Sequence, residues 1–320
     1  MPATRPALET SQVSERFVCT LCGAHEAETV CTGIRDWEHG VDGEWDYVRC
    51  RSCGLVSLDP FPDFETLRRA YPDTYASWSE QSSRKNLLQT LRGVFITHRN
   101  RQLARLMPPQ GSVLDVGCGD GSTLERLGQC TGGRLVGIDF SRHAVDVACA
   151  KGLDVRCGTL DALSEPDGSF DLILMIGYLE HSWTPECDLA GAYRLLKPGG
   201  TLFGVVPNFD SLDRRLFGRY WAGTHAPRHI LQFTPQTLRK LLRDQGFDRP
   251  RLISMMSPTY PALSIQNWLQ SGAAGERFRV RLENGRAFYY PALLASVLPL
   301  QVVIAVLGLG GLMKFTAGKS

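Results

Sequence analysis

Val113-Leu114-Asp115-Val116-Gly117-Cys118-Gly119-Asp120-Gly121-Ser122-Thr123-Leu124 decides how this chain is read. Its opening β-branched and apolar residues predict a short buried strand, its glycines a tight turn, and Ser122 to Leu124 the start of a helix. Gly117, Gly119 and Gly121 can take positive φ and let the backbone approach a ligand that a Cβ would hold off. Such a turn lies in the crevice beyond the strand end, where open α/β sheets bind ligands, with backbone N–H groups aimed into it. A dinucleotide loop of the form G-x-G-x-x-G needs glycine at 122, and this chain has Ser122 there. Taken alone, the loop also reads as a plain strand-to-helix turn. Asp115, inside the strand end and just ahead of Gly117, argues for a ligand.

The 320 residues are enough for about two domains with a large core, and the formal net charge of +2 gives no global attraction to nucleic acid or to an acidic membrane. Ten cysteines with no secretory signal ahead of them point to reduced thiols in the cytoplasm, some of them on a metal. Residues 1–16 are polar and read as a disordered tail.

Cys19-Thr20-Leu21-Cys22-Gly23 and Cys50-Arg51-Ser52-Cys53-Gly54 form two C-x-x-C-G knuckles. Each offers two thiolates on one tight turn, and together they supply the four soft ligands that zinc takes in a tetrahedron. Cys19, Cys22, Cys50 and Cys53 are therefore the expected ligands of a structural zinc in a ribbon over 17–58, with no position left open for catalysis. Trp45, Tyr47 and Val48 predict a ribbon strand. Cys31, His25 and His39 are read as surface or core residues.

Residues 59–81 read as a linker or lid, with a short helix over 65–71 and the aromatic cluster Tyr71, Tyr75 and Trp78. A larger domain of 82–320 follows. Leu87, Leu91, Val94, Phe95, Leu103 and Leu106 recur at helical spacing ahead of Pro108-Pro109. The opposite face carries Arg84, Lys85, Arg92, Arg99, Arg101 and Arg105. No aromatic residues interleave with these charges, so the face is read as solvated and no nucleic-acid partner is expected.

Beyond the glycine loop, Arg134–Asp139, Val155–Leu163 (a strand and its exit), Ser169–Ile176 and Thr201–Val206 predict four further strands, separated by helices. Asp139 ends the second strand, where a carboxylate can accept both hydroxyls of a ribose, and Ser141 is free to cap the next helix in its place. Lys197 is expected in the last turn of a helix that Pro198 stops. Thr234-Pro235 begins another helix that ends at Gly246.

The glycine loop with Asp115, the Asp139 strand end, "SFDLIL…LEH" over 169–181 and Leu195-Leu196-Lys197-Pro198-Gly199-Gly200 together resemble the class I S-adenosylmethionine-dependent methyltransferases over about 112–250. The knuckles and "Pro-Phe-Pro" at 60–62 resemble the zinc-ribbon-bearing branch of those enzymes. The resemblance implies a doubly wound α/β fold with a seven-stranded, mostly parallel sheet and the small ribbon at its N-terminus. It implies donor contacts at Asp115, Gly117, Cys118, Gly119, Asp139, Phe140, Leu160 and Asp161. Thr159 stands where many relatives carry Asp, which leaves Asp161 as the acid for the adenine amino group.

Methyl transfer from a sulfonium is an in-line displacement, so the enzyme positions a nucleophile and, where needed, removes a proton. His181 is read either as that base or as a donor-pocket residue. His225 and Arg228, in the loop Tyr220–His229, suit an acidic or hydroxylated acceptor; the other reading has Trp221 packing and His229 capping the next helix. The acceptor is left open among a small hydroxylated metabolite, a glycan and a lipid-linked intermediate. From Ala287 to Met313 there is no charge, and an apolar helix is expected at about 291–307, with a last strand near Leu312–Ala317. That helix is buried, in a homodimer contact, at a membrane surface beside Arg277, Arg279 and Arg281, or spanning. Two other functions stand as alternatives: a non-catalytic zinc-ribbon ligand-binding protein, and an NAD-dependent Rossmann enzyme.

Overall fold

A computed structural model of the protein describes residues 17–37, 41–71, 99–271 and 289–320. The expected tail at 1–16, His39, Tyr75 and Trp78, the helix start from Arg84 to Phe95 and the arginines at 277, 279, 281 and 286 lie outside the described residues. Two sheets carry the fold. The larger has seven strands: β4 (Val113–Val116), β5 (Leu135–Asp139), β6 (Asp154–Cys157), β7 (Phe170–Ile176), β8 (Leu196–Pro207), β10 (Asp248–Met255) and β11 (Leu312–Gly318). Their order is β10-β11-β8-β7-β4-β5-β6, and β11 alone runs antiparallel to its neighbours.

β4 sits near the middle and is buried along its whole length, as its unbroken Val-Leu-Asp-Val predicts for a strand covered on both faces. The order reverses there: the chain moves outward to β5 and β6, then returns to β7 on the other side of β4. This reversal opens a crevice at the carboxyl ends of β4 and β5. The helices α2 (Ser122–Gly128), α3 (Arg142–Ala150) and α4 (Pro185–Leu195) fill the connections.

The smaller sheet is antiparallel and joins β1 (Ala27–Ile34), β2 (Trp45–Cys50) and β3 (Val56–Asp59) to β9 (Leu231–Gln232). The ribbon therefore takes its fourth strand from the segment that follows β8 in the chain. One continuous core runs through both, from Tyr47, Val56 and Leu58 to Leu231, Phe233 and Phe209. This shared burial ties the cysteine module to the larger sheet.

The third strand ends at Cys157, and its exit holds a 3-10 turn over Leu160–Ala162. Two local expectations change. Lys197 is in β8, not in a helical turn: α4 ends at Leu195, Leu196 is extended and pairs with Phe170, and the Lys197 ammonium reaches Asp171 at 2.7 Å. His229 caps no helix. The hydroxyl of Thr234 accepts from the N–H of Thr237 at the head of α6 (Pro235–Asp244).

At the C-terminal end, α7 (Thr259–Ser271) packs against α8 (Tyr290–Val306). The apolar helix is thus where its composition places it, but it is not buried: Tyr290, Gln301 and Ile304 are covered, and Leu300, Val303 and Val306 are exposed. Its sequence is apolar all round, so it cannot hide every face against one neighbour. No described helix is long and apolar enough to cross a membrane.

Candidate functional site

The donor half of the site forms at the ends of β4 and β5. Gly117, Gly119 and Gly121 have φ of 73°, 55° and 75°, the left-handed region their lack of a Cβ permits. Packing also excludes a side chain at two of them: a Cβ at Gly117 would lie 2.9 Å from Tyr178, and one at Gly121 2.4 Å from Leu153. The loop does not aim its N–H groups into the crevice as the sequence suggests. Those of Gly117 and Cys118 go to the Ile138 carbonyl, that of Gly121 to the Cys118 carbonyl, and that of Gly119 to the Asp139 carboxylate at 2.8 Å. The tight turn satisfies its own donors. What it offers a ligand is close backbone approach.

Asp139 is held at both oxygens, by the Gly119 N–H and by the Ser141 N–H at 2.9 Å. Ser141 also caps α3, accepting from Ala144. Burial raises the Asp139 carboxyl, and the two backbone donors oppose that rise. A carboxylate fixed this way keeps a lone pair on each oxygen for a vicinal diol. Asp115, buried beside it, is pushed up to about 7 by desolvation, with the Asp139 charge adding to the effect. Phe140 presents an exposed ring next to Asp139. The Cys118 thiol is buried and driven upward by desolvation, so it packs and does not react.

Leu160 and Asp161 follow β6 and have different surroundings. The Leu160 side chain is core. Asp161 is exposed, and a hydrogen bond from Thr159 holds its carboxyl below the usual range. Glycine loop, buried carboxylate and open aromatic ring thus lie together at the ends of β4 and β5.

The acceptor half is built on the 3-10 turn Leu179–His181 after β7 and on the loop before β9. The His181 Nδ1 lies 2.9 Å from the Arg228 carbonyl and 2.8 Å from the Tyr71 hydroxyl. A carbonyl only accepts, so Nδ1 carries the proton and Nε2 keeps its lone pair. Burial pushes His181 down to about 3, which leaves the ring neutral at ordinary pH. The His181 and His229 rings meet edge to face at 4.7 Å, and His225 and His229 are 4.9 Å apart. His225 takes a left-handed φ of 40°. Glu180 is buried in the same turn, and desolvation raises its carboxyl to about 8.

Arg228 does not meet an acceptor. Its guanidinium is buried and pairs with Asp36 of the ribbon at 2.9 and 3.2 Å, and it also donates to the Ala70 carbonyl. Trp221 is fully buried against Phe209 and Tyr260, as the packing alternative has it. Tyr71, Glu180 and His229 are site neighbours that residue spacing does not reveal. Tyr71 bonds to His181 and sets its ring edge-on to Phe140 at 5.5 Å, so one side chain of the linker touches both halves. The one local signal for Glu180 is its place beside His181.

In the ribbon, Cys19 faces Cys53 and Cys22 faces Cys50, each pair with Sγ–Sγ 3.5 Å. Thiolates about 2.3 Å from a tetrahedral zinc stand roughly 3.8 Å apart, so the four can hold one with little movement. Both knuckles close alike: Gly23 donates to the Cys19 carbonyl and Gly54 to that of Cys50. Cys31, in β1, is outside this cluster.

A family model described as a methyltransferase domain matches residues 88–249. A ubiquinone biosynthesis O-methyltransferase of Hahella chejuensis is 34% identical over 230 residues, 65% of this chain and 87% of that protein. A 37.1 kDa protein carried by a transposon of Streptomyces fradiae is 29% identical over 209 residues, 53% of this chain and 60% of that protein. The chain thus spans less than two thirds of the length of the Streptomyces relative. A solved SAM-dependent methyltransferase of Archaeoglobus fulgidus aligns with a TM-score of 0.47 at 18% identity, over 71% of this chain and 94% of that one.

Proposed function

The chain belongs to the class I S-adenosylmethionine-dependent methyltransferases, and on that premise we propose that it methylates a hydroxyl oxygen of a small acceptor bound at the His181–His229 cluster. The observation that carries this reading is the His181 Nδ1 at 2.9 Å from the Arg228 carbonyl, which leaves the ring's lone pair on Nε2, with Tyr71 linking that ring to Phe140. A lone pair there accepts a hydrogen bond from an acceptor hydroxyl and orients its oxygen. The Hahella relative, an O-methyltransferase by name, supports oxygen as the nucleophile.

S-adenosylmethionine supplies a methyl group already activated as a sulfonium. The chain's own work is positioning and proton handling. Asp139 fixes the ribose, the glycine loop lets the donor approach, and Tyr71 closes the gap between Phe140 and His181. The four-cysteine cluster we assign to a structural zinc that holds the ribbon against the acceptor loop. Transfer of labelled methyl into fractionated cell extract tests the proposal. His181→Ala is expected to lower turnover at least tenfold while donor affinity by calorimetry stays within twofold. Equal loss of both would make His181 a donor-pocket residue.

A further inference from the structure

Glu180, His181 and His229 bring a carboxylate oxygen and two ring nitrogens within 4.8 Å of one another. Each imidazole is locked in the same way. The Nδ1 of His181 lies 2.9 Å from the Arg228 carbonyl, and the Nδ1 of His229 lies 2.9 Å from the Gly223 carbonyl. Both Nδ1 atoms must donate there, so both Nε2 atoms are left with lone pairs. An N–H held by a backbone carbonyl is how proteins orient histidines that bind metals. Glu180 is 3% exposed, and its Oε2 is buried with no hydrogen-bond partner. With Glu180 ionised, its Oε2 and the two ring nitrogens bring three acceptor atoms to one buried place. A buried polar group left unsatisfied costs free energy, and a cation relieves all three at once.

We propose that Glu180, His181 and His229 form a second metal site, distinct from the four cysteines, which takes a first-row divalent cation; the His181 lone pair then reaches the acceptor's hydroxyl oxygen through that cation and not by a direct hydrogen bond. Two imidazoles and one carboxylate suit zinc, manganese or iron better than magnesium or calcium, which prefer all-oxygen sites. Three protein ligands leave an open position. Tyr71 touches both His181 and Phe140, so the cluster is one side chain away from the Asp139 end of β5. A hydroxyl held at the open position gives its proton to water more readily. The oxygen–carbon bond then forms as the carbon–sulfur bond breaks, and the electron pair stays on sulfur. The acceptor half of this assignment rests on the methyl-transfer reading above; the metal half does not.

The test uses the full chain with its ribbon metal in place, dialysed against Co2+ in the absence of donor. Bound cobalt, zinc and the absorption spectrum are read, and S-adenosylmethionine affinity is measured separately. The expected result is one further metal per chain, without the thiolate charge-transfer band of a cysteine site. Glu180→Gln and His229→Gln should each weaken cobalt binding at least tenfold, with zinc content and circular dichroism unchanged. Because buried His229→Gln can fail to fold, the near-isosteric Glu180→Gln decides. A single metal per chain, or a second one bound equally well by Glu180→Gln, would overturn the site and show that a proton on Glu180 fills it instead. Donor binding without cobalt binding refutes the metal site alone; cobalt binding without donor binding refutes the methyl-transfer reading alone.

Discussion

Asp139, the residue we propose holds the donor's ribose, is positioned by the backbone around it. Its carboxylate is buried, yet two backbone N–H groups hold it, so the penalty for a charge in the crevice is partly met within the protein. Asp139→Ala removes the diol acceptor and also leaves the Gly119 and Ser141 N–H groups without their partner. Donor affinity should fall at least tenfold by calorimetry; unchanged affinity would move the ribose elsewhere. Position 139 can be picked from the strand end alone. Glu180 and His229 cannot, because what distinguishes them is their burial within reach of one another, which only packing creates.

At the scale of elements, the loop between α5 (Leu212–Phe217) and β9 is held from the ribbon side. The Tyr47 hydroxyl of β2 lies 2.9 Å from the Thr224 carbonyl and 2.7 Å from that of His229, and Gln232 donates to it at 2.9 Å. The Asp36–Arg228 pair adds a buried tie. Removing one partner of such a pair leaves an uncompensated charge, so Arg228→Leu should cost about 3–5 kcal/mol in urea denaturation. The double change with Asp36→Leu should recover most of that loss; additive losses would show that the pair is not coupled.

A second tie joins α5 to α8, where Gln301 donates to Asp213 at 3.1 Å. Burial raises Asp213 to about 6 from its usual 3.8. An acid with a raised folded pKa binds more protons folded than unfolded between those values, so its contribution to stability declines as pH rises from about 4 to 6. Asp213→Asn should flatten that decline by on the order of 2 kcal/mol, read as melting temperature against pH. An unchanged slope would place the titration elsewhere.

For the whole molecule, the ribbon and the large sheet share one core, so metal loss should not stay local. Cys50→Ser is expected to lower zinc content and global stability together, with acceptor turnover falling as the loop at 222–229 loses its anchor. Full zinc occupancy in that variant would refute the ribbon. The exposed face of α8 behaves differently. Val303 and Val306 are open, so Val303→Glu should leave thermal stability within about 0.5 kcal/mol. Ile304→Glu, which buries a charge, should unfold that end of the molecule.

The sequence by itself determined the α/β sheet, the glycine loop, the Asp139 strand end, the paired knuckles and the place of the last helix and strand. Each is a local pattern: strand hydrophobicity, a turn that needs positive φ, thiols at fixed spacing. Tertiary structure alone decided that Arg228 serves Asp36, that Leu231–Gln232 completes the ribbon sheet, that Tyr71 stands between Phe140 and His181, and that α8 stays exposed. Those outcomes depend on residues far apart in the chain meeting in three dimensions. A buried arginine and a ligand-binding arginine look alike until packing says which carboxylate lies within reach.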